Sequence, residues 1–282
     1  MNSMIEILTE KRIDEFIAWL HSEERSQGTV EKYVRDIKAL RGWLNGLAIT
    51  KERVAAWKNS LINAGYKPTT INSMLASINT YCRFAGIECR IRFLRIQRRV
   101  FRDEDKELTK REYQKLVETA RNNGNERLAL ILETIGGTGI RVSETQYITV
   151  ESAVTGKSQI MLKGKIREIM LPRQLCRKLL QYAKKQKIAS GAIFITKTGR
   201  ALSRKQIWAE MKSLCRDADV SETKVFPHNL RHLFARVFYR LTHDIVQLSD
   251  LLGHSSVDTT RLYLLASGVE HAQQLEKLGL IL

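Results

Sequence analysis

The chain has 282 residues, enough for one large or two modest globular domains, and a formal net charge of +17 at pH 7. So large a positive charge favours a polyanionic partner, above all nucleic acid, because Lys and Arg neutralise backbone phosphates. No apolar run reaches a membrane span and no secretory leader is evident, so we expect a cytoplasmic protein. The four cysteines form no CxxC pair, which argues against metal and redox motifs and predicts reduced thiols.

The first hundred residues contain four stretches in which apolar residues recur at three- and four-residue steps, the spacing of an amphipathic helix. These stretches are residues 5–20, 26–44, 50–65 and 68–86. Thr50 is placed to cap the third, and Gly65 and Gly86 are placed to end the third and fourth. Four short helices joined by brief turns predict a small all-α bundle.

An arginine-rich linker follows, at about residues 90–107, and we predict domains of residues 1–100 and 101–282 on either side of its centre. Glu88 is the single acid among the arginines of this region, and the sequence turns acidic again at DEDKE. The arginines are Arg83, Arg90, Arg92, Arg95, Arg98, Arg99 and Arg102. Arginine binds phosphate through two parallel hydrogen bonds, so we expect the linker to contact a nucleic-acid backbone.

In the second domain, residues 128–135 are almost entirely apolar and predict a buried helix. Gly136, Gly137 and Gly139 are expected to break it and allow a tight turn, after which Arg141 and Glu144 follow. One interpretation of Arg141 is a simple salt bridge to Glu144. Its place after a buried helix and a turn favours a fixed guanidinium with a catalytic role.

Residues 148–154, 159–162 and 167–171 have the composition of three short strands, with turns at residues 155–156 and at Gly164. Lys163 lies at the tip of the last hairpin and Lys165 follows closely. Nearby basic residues, Arg167 among them, are expected to attract phosphate. Residues 202–214 then predict a helix whose first turn carries cations suited to a phosphate or a DNA groove.

The stretch from residue 226 to 263, FPHNLRHLFARVFYRLTHDIVQLSDLLGHSSVDTTRLY, predicts three consecutive helices. Pro227 is placed to begin the first, with Leu230, Phe234, Val237 and Leu241 as its buried face. Gly253 is placed to close the second helix in the left-handed conformation. Either Ser255 or Ser256 can cap the third.

Within this stretch we single out the imidazoles of His228 and His254, the guanidinium of Arg231 and the phenol of Tyr263. A phenol can attack a phosphodiester and form a covalent intermediate. Arginine matches the geometry of phosphate, and imidazole can donate a hydrogen bond or carry a proton near neutral pH. We expect no metal and no cofactor, because fixed positive charge around the phosphate can replace them.

The spacing HNLRH, LLGHSS and then a tyrosine nine residues after the LLGHSS histidine resembles the tyrosine recombinase (phage integrase) family. Upstream, GGTGIRVSE resembles the family's arginine box and MLKGKIREIMLP its lysine hairpin, so the resemblance covers nearly the whole chain. It implies a mainly α fold with a small antiparallel β-sheet. A four-helix, SAM-like core-binding domain would precede an α+β catalytic domain.

The resemblance assigns a catalytic set to this chain: Arg141, Lys163, His228, Arg231, His254 and Tyr263. Tyr263 would be the nucleophile, His228 its base, and His254 a hydrogen-bond donor to the phosphate. Lys163 would protonate the 5′-hydroxyl leaving group, and Lys165 is the alternative because KGK is one residue shorter than the usual pattern. Glu144 and His232 would support the set.

The DNA-contacting residues expected are spread over both domains and the linker, although each is equally consistent with a solvated surface. They are Lys32, Arg35, Thr70, Asn72, Arg95, Arg98, Arg99, Arg200, Arg204 and Lys205. Residues 269–282 have helical spacing and would pack on their own domain or dock on a neighbouring subunit, as the family implies. Leu233 and Thr145 depart from the usual pattern but remove no catalytic group.

The function implied is site-specific recombination of double-stranded DNA, through a 3′-phosphotyrosine and a Holliday junction. The family implies a homotetramer on paired sites, alone or with a partner recombinase, acting at the nucleoid. An Xer-type housekeeping role and a mobile-element role both fit. The alternatives are a monomeric type IB topoisomerase and a non-catalytic DNA-binding regulator, which would never become covalently trapped on nicked DNA.

Overall fold

The computed structural model describes residues 6–96, 104–162, 165–254, 256–264 and 276–277. The chain divides into two compact units, Met1–Arg98 and Arg99–Leu282. All four cysteines are buried free thiols. In the part of the chain described, no helix is both long and apolar enough to span a membrane.

The first unit is the predicted four-helix bundle. Its helices are α1 (Glu10–Ser22), α2 (Gln27–Leu44), α3 (Lys51–Asn63) and α4 (Pro68–Phe84). Phe16 and Tyr81 lie fully buried at its centre, with ring centroids 5.2 Å apart in an edge-to-face arrangement. The predicted start of α1 at residue 5 is wrong. Thr9 caps the helix through the backbone N–H of Arg12, and Glu6 forms a β-bridge with Ile49 instead.

The second unit is mainly helical around one two-stranded sheet. After a short 3-10 helix (Glu104–Lys106), its elements are α5 (Lys110–Asn122), α6 (Glu126–Thr138), a second 3-10 helix (Val142–Tyr147), α7 (Val150–Thr155), β1 (Lys157–Leu162), β2 (Lys165–Met170), α8 (Arg173–Lys185), α9 (Arg204–Asp217), α10 (Pro227–Thr242), α11 (Ile245–Leu252) and α12 (Val257–Arg261). The strands pair antiparallel, from Lys157 opposite Met170 to Leu162 opposite Lys165. This confirms the mainly α class with a small antiparallel sheet.

The strand predicted at residues 148–154 is wrong, because α7 occupies most of that stretch. Thr149 and Ser152 form a reciprocal capping box, and Gly156 ends the helix in the left-handed conformation. These two local signals outweigh the β-branched residues that suggested a strand. Thr149 contributes only an isolated bridge to Ala192.

Helix α6 is the buried helix expected before the arginine box, but Gly136 and Gly137 lie inside it rather than ending it. The helix ends at Gly139, whose φ of +66° is left-handed. A Cβ at this position would lie 2.4 Å from Cδ1 of Phe234 on α10. Both the backbone conformation and the close approach of α10 therefore require glycine here.

Helix α10 packs against α6 through its first half. Leu230 is fully buried as expected, together with Leu233 and Ala235. The predicted buried face is wrong at Val237 and Leu241, which are 37% and 80% exposed. In its second half, α10 packs through Phe238 and Tyr239 on a second cluster that contains Leu248 and Leu252, so the buried face is not the one that the spacing of Val237 and Leu241 suggested.

Candidate active site

The guanidinium of Arg231 lies at the centre of the candidate site and is 1% exposed. It donates to the carbonyl oxygen of Gly139 at the end of α6 and to that of Leu252 at the end of α11, at 2.6 Å for Leu252. Its pKa is lowered to about 10, first by burial and next by the charge of Arg141, with Tyr263 acting in the opposite direction. Arg231 therefore remains a fixed cation at neutral pH, held by two helix ends.

Arg141 is fixed by Glu144, a carboxylate with a side chain only 2% exposed. Glu144 accepts from the backbone N–H of Arg141 at 2.7 Å and from its Nη1 at 3.0 Å. Nη2 of Arg141 also points to the carbonyl oxygen of Gly253, 3.5 Å away. The Arg141 side chain is still 42% exposed. The salt bridge to Glu144 thus orients a guanidinium that an incoming anion can reach.

Arg167 on β2 is the residue that sequence reasoning misplaced. The sequence groups it with the basic residues that attract phosphate around the hairpin, but its side chain is only 15% exposed and pairs with Glu144 at 3.2 Å. It also donates to the carbonyl oxygen of Leu252. The sequence held a signal for this burial. Arg167 stands two residues before the apolar Ile169 and four before the apolar Leu171, and two-residue steps place side chains on the same face of a strand. Both Ile169 and Leu171 are buried.

His254 follows Gly253, whose φ of +61° closes α11 as predicted. Its Nε2 lies 2.9 Å from Nη2 of Arg231 and its Nδ1 lies 2.8 Å from Oγ1 of Thr260. Because arginine can only donate, Nε2 accepts and Nδ1 carries the proton. Burial, with Arg231 and Arg141 next in effect, lowers the pKa of His254 to about 4.

Tyr263 follows α12, and its side chain is 6% exposed. Its hydroxyl lies 3.5 Å from Nε2 of His228. The Tyr263 ring stacks on His254, with centroids 5.3 Å apart, and packs on His232 at 4.2 Å. The phenol is therefore held among three imidazoles of the same chain.

The two histidines of α10 have different surroundings. His228, on the first turn, is open to solvent on one side, while partial burial and the charges of Arg231 and Arg141 lower its pKa. His232, one turn later, has its pKa lowered to about 3, mainly by burial. Both are neutral at pH 7, so Nε2 of His228 is able to accept a proton from the Tyr263 hydroxyl.

The two lysines between which the sequence left a choice are not placed. Lys163 lies outside the described residues. Lys165 begins β2, and its side chain also lies outside them. Leu162 and Lys165 form the last backbone pair of the two strands, and residues 163 and 164 connect them in the sequence.

The predicted DNA-contacting residues of the first unit differ in their surroundings. Nζ of Lys32 is occupied by Asp36 and Ser77, and the Asn72 amide bonds both the N–H and the carbonyl of Leu94. The polar groups of these two side chains are therefore bonded within the first unit. Three others are exposed: Arg35, Thr70 and Arg95. Arg98 and Arg99, and most of the tail at residues 269–282, lie outside the described residues.

In the second unit, Arg200, Arg204 and Lys205 are exposed at or before the start of α9. Arg204 and Lys205 line an open cleft of about 640 Å³ that extends to His228. The cleft also contains Trp208, 50% exposed, which the sequence analysis did not single out. Within the described ranges, no group of three or more His, Cys, Asp or Glu side chains could hold a metal ion.

Residues 106–268 match the model of the phage integrase family. The chain belongs to the phage integrase family. Residues 13–88 match a second model, the N-terminal SAM-like domain of phage integrases. This phage integrase family member is thus an enzyme that cleaves and rejoins DNA as a site-specific tyrosine recombinase, as the motifs predicted.

The curated relatives of this phage integrase family member include Xer recombinases. It is 29% identical to the tyrosine recombinase XerA of Pyrococcus furiosus over 94% of this chain and 95% of the relative. It is 27% identical to XerD of Staphylococcus haemolyticus over 89% and 92%.

Among solved structures, the fold is similar to that of XerH bound to its difH substrate (TM-score 0.68, 18% identity, 94% of this chain and 84% of that one). It is also similar to a lambda integrase tetramer bound to a Holliday junction (TM-score 0.72, 22% identity, 93% and 78%).

Proposed function

We propose that Tyr263 is the nucleophile of this recombinase and that His228 is its general base. The observation that carries the proposal is the 3.5 Å approach of the Tyr263 hydroxyl to Nε2 of a neutral His228. A free phenol has a pKa of about 10 and is a weak nucleophile at neutral pH. Transfer of its proton to His228 would activate it, and Arg231 beside it would stabilise the phenolate.

In the cleavage step, the Tyr263 oxygen forms a bond to the scissile phosphorus and the bond from phosphorus to the 5′-oxygen breaks. The product is a 3′-phosphotyrosine and a free 5′-hydroxyl. The exposed guanidinium of Arg141 and the buried guanidinium of Arg231 would neutralise the charge that builds on the non-bridging oxygens. The phosphotyrosine conserves the energy of the broken bond, so attack by a 5′-hydroxyl from another strand can reverse the step.

The leaving 5′-oxygen needs a proton. We assign the role of proton donor to Lys163, with Lys165 as the alternative. Both lysines lie between β1 and Arg167 in the sequence, and the Arg167 guanidinium pairs with Glu144 in the site. Replacing each lysine by methionine and measuring cleavage distinguishes them, since the proton donor should contribute about 10²- to 10⁴-fold to the rate.

The hydrogen bond between His254 and Arg231 bears on the proposed role of His254 as a donor to the phosphate. Nε2 of His254 accepts from Arg231, whereas a donor to phosphate must carry a proton there. A bound phosphate would compete for the Arg231 guanidinium and raise the pKa of His254, since a nearby anion favours the charged imidazole. We propose that DNA binding converts Nε2 of His254 from an acceptor into a donor.

We further infer that residues 1–100 form a DNA-binding domain, residues 101–282 form the catalytic domain, and four copies exchange strands on two paired sites at the nucleoid. Exposed cations in both units support a double-stranded DNA partner, and the net charge of +17 agrees with it. Whether a second recombinase takes part is decided by testing recombination with the pure protein alone.

The test of the proposed nucleophile uses a duplex nicked near the scissile phosphate, so that cleavage releases a short fragment and cannot be reversed. The wild-type protein should form an adduct that survives denaturant, and Tyr263→Phe should form none. Tyr239→Phe, which removes a phenol from α10, is the matched control and should retain the adduct. An adduct formed by Tyr263→Phe would refute the assignment. Relaxation of supercoiled DNA by strictly monomeric protein would favour a topoisomerase.

A further inference from the structure

Arg167 is a buried cation that lies outside the catalytic set assigned above. Burying a guanidinium is unfavourable unless its donors find acceptors, because the group loses its hydration. Burial lowers the pKa of Arg167, Glu144 raises it and Arg141 lowers it. An apolar side chain at this position, opposite Ile160 and two residues before Ile169, would avoid this cost. The role of the Arg167 guanidinium must therefore be sought in the contacts that it makes.

Two acceptors hold Arg167, and each also holds a catalytic arginine. Nη2 of Arg167 lies 3.2 Å from Oε2 of Glu144, the carboxylate that orients Arg141. Nη1 of Arg167 donates to the carbonyl oxygen of Leu252, which also accepts from Arg231 at 2.6 Å. The planar fork of one guanidinium thus connects the acceptors of two others.

The Leu252 carbonyl belongs to the turn that carries His254, here called the His254 turn (residues 252–254). Arg167 packs tightly against it, because a Cβ added to Gly253 would lie 2.4 Å from Cδ of Arg167. The position of the turn and the position of Arg167 are therefore set together.

Arg167 itself belongs to the lysine hairpin, defined as β1, β2 and the two residues that link them, 163 and 164. It lies opposite Ile160 and two residues along β2 from Lys165, which pairs with Leu162. Anything that fixes Arg167 therefore fixes the paired strands that flank this link.

We propose that Arg167 is a positioning residue that fastens the lysine hairpin to Glu144 and to the His254 turn, so that the hairpin lysine delivers its proton to the leaving 5′-oxygen. The inference rests on the proposed function, because it requires that a hairpin lysine act as the general acid. Misplacement of a catalytic group by about 1 Å can reduce a rate by about 10²-fold, so a lost anchor should affect catalysis more than binding.

The test compares two nicked duplexes that differ in one atom. One carries the ordinary phosphodiester and the other has sulfur in place of the bridging 5′-oxygen. A thiol has a pKa of about 8.5, so the sulfur departs as a thiolate without a proton donor. A defect in delivering the proton should be large on the oxygen substrate and small on the sulfur substrate.

The variant is Arg167→Met and its matched control is Lys157→Met. Lys157 is on the same hairpin and is also paired, to Glu168 at 3.2 Å, but its side chain is 51% exposed. DNA affinity is measured in a Tyr263→Phe background, where no cleavage occurs. Cleavage is measured at saturating protein.

We expect Arg167→Met to cleave the oxygen substrate about 10- to 100-fold more slowly than Lys157→Met, with affinities within about 3-fold. On the sulfur substrate the two rates should converge to within about 3-fold. Arg167→Lys keeps the charge but lacks the fork, and should show a smaller defect with the same rescue by sulfur. This second variant decides the matter if Arg167→Met does not fold.

Equal rates for Arg167→Met and the control on the oxygen substrate would overturn the inference. So would a defect of the same size on both substrates, or a loss of affinity that accounts for the loss of rate. Failure of the proposed function looks different. In that case the wild-type protein forms no adduct on either substrate, or Lys163→Met and Lys165→Met both leave cleavage of the oxygen substrate unchanged.

Discussion

Nη2 of the buried Arg231 donates to Nε2 of His254 at 2.9 Å, so two members of the proposed catalytic set are hydrogen-bonded to each other. This contact fixes the tautomer of His254, because Nδ1–H then faces Oγ1 of Thr260. The predicted responses of the site to mutation follow from these bonds.

Arg231→Lys should reduce both stability and cleavage. A lysine cannot reproduce the planar set of bonds to Gly139, Leu252 and His254, and would leave a buried carbonyl unpaired. We expect a loss of about 2–4 kcal/mol in the free energy of unfolding, measured in urea, and at least about 100-fold in cleavage rate. The exposed Arg216→Lys, on α9, should change neither by a measurable amount.

Thr260→Val should slow cleavage by about 10-fold while leaving DNA affinity unchanged. The change keeps the shape of a fully buried side chain but removes the hydroxyl that accepts from Nδ1 of His254. The imidazole is then free to adopt the other tautomer or to rotate. Thr259→Val, on the exposed side of α12, is the control. Equal cleavage rates for the two variants would contradict this role of Thr260.

Gly139→Ala and Gly137→Ala should have opposite effects on stability. Gly139 has φ of +66° and no room for a Cβ beside Phe234, so alanine should destabilise the catalytic unit by at least about 1–2 kcal/mol. Gly137 lies inside α6 with nothing within 4 Å of an added Cβ, so alanine should stabilise by about 0.5–1 kcal/mol. Urea unfolding measures both, and a shift of the same sign would contradict the packing described.

The stability of the catalytic unit should fall as pH falls from about 6.5 towards 4. His232 has a pKa of about 3 in the folded state against about 6.5 when unfolded, so the unfolded state binds more protons in this window. Above about pH 6.5, His232 is neutral in both states and the free energy of unfolding does not depend on it. Below that pH, protonation of His232 in the unfolded state lowers the free energy of unfolding, by at most about 1.4 kcal/mol per pH unit.

The control for this pH effect is a pair of histidine variants. His232→Asn should flatten the dependence of unfolding free energy on pH, whereas His21→Asn, an exposed histidine on α1 of the other unit, should not. A steeper dependence in His232→Asn than in the wild type would show that the sign is wrong.

Much of the fold followed from the sequence because its signals are local. Helical spacing and caps predicted all four helices of the first unit, and the glycine at 253 predicted the end of α11. The errors arose where two local signals competed, as in α7, where the Thr149–Ser152 capping box outweighed strand propensity. They also arose where spacing gave no measure of burial, as at Leu241, which is 80% exposed.

The amino-acid sequence by itself determined the chemistry available to this protein: a phenol, imidazoles and guanidinium groups at a spacing that resembles one enzyme family. Only the tertiary structure decided which polar side chains form bonds within the protein. It showed Lys32 and Asn72 bonded within their own unit, and it placed Arg167 in the interior beside Glu144. The physical reason is that a charge on a short strand or helix can face either water or a buried carboxylate, and distant elements such as β2, α6 and α11 meet only in the folded chain.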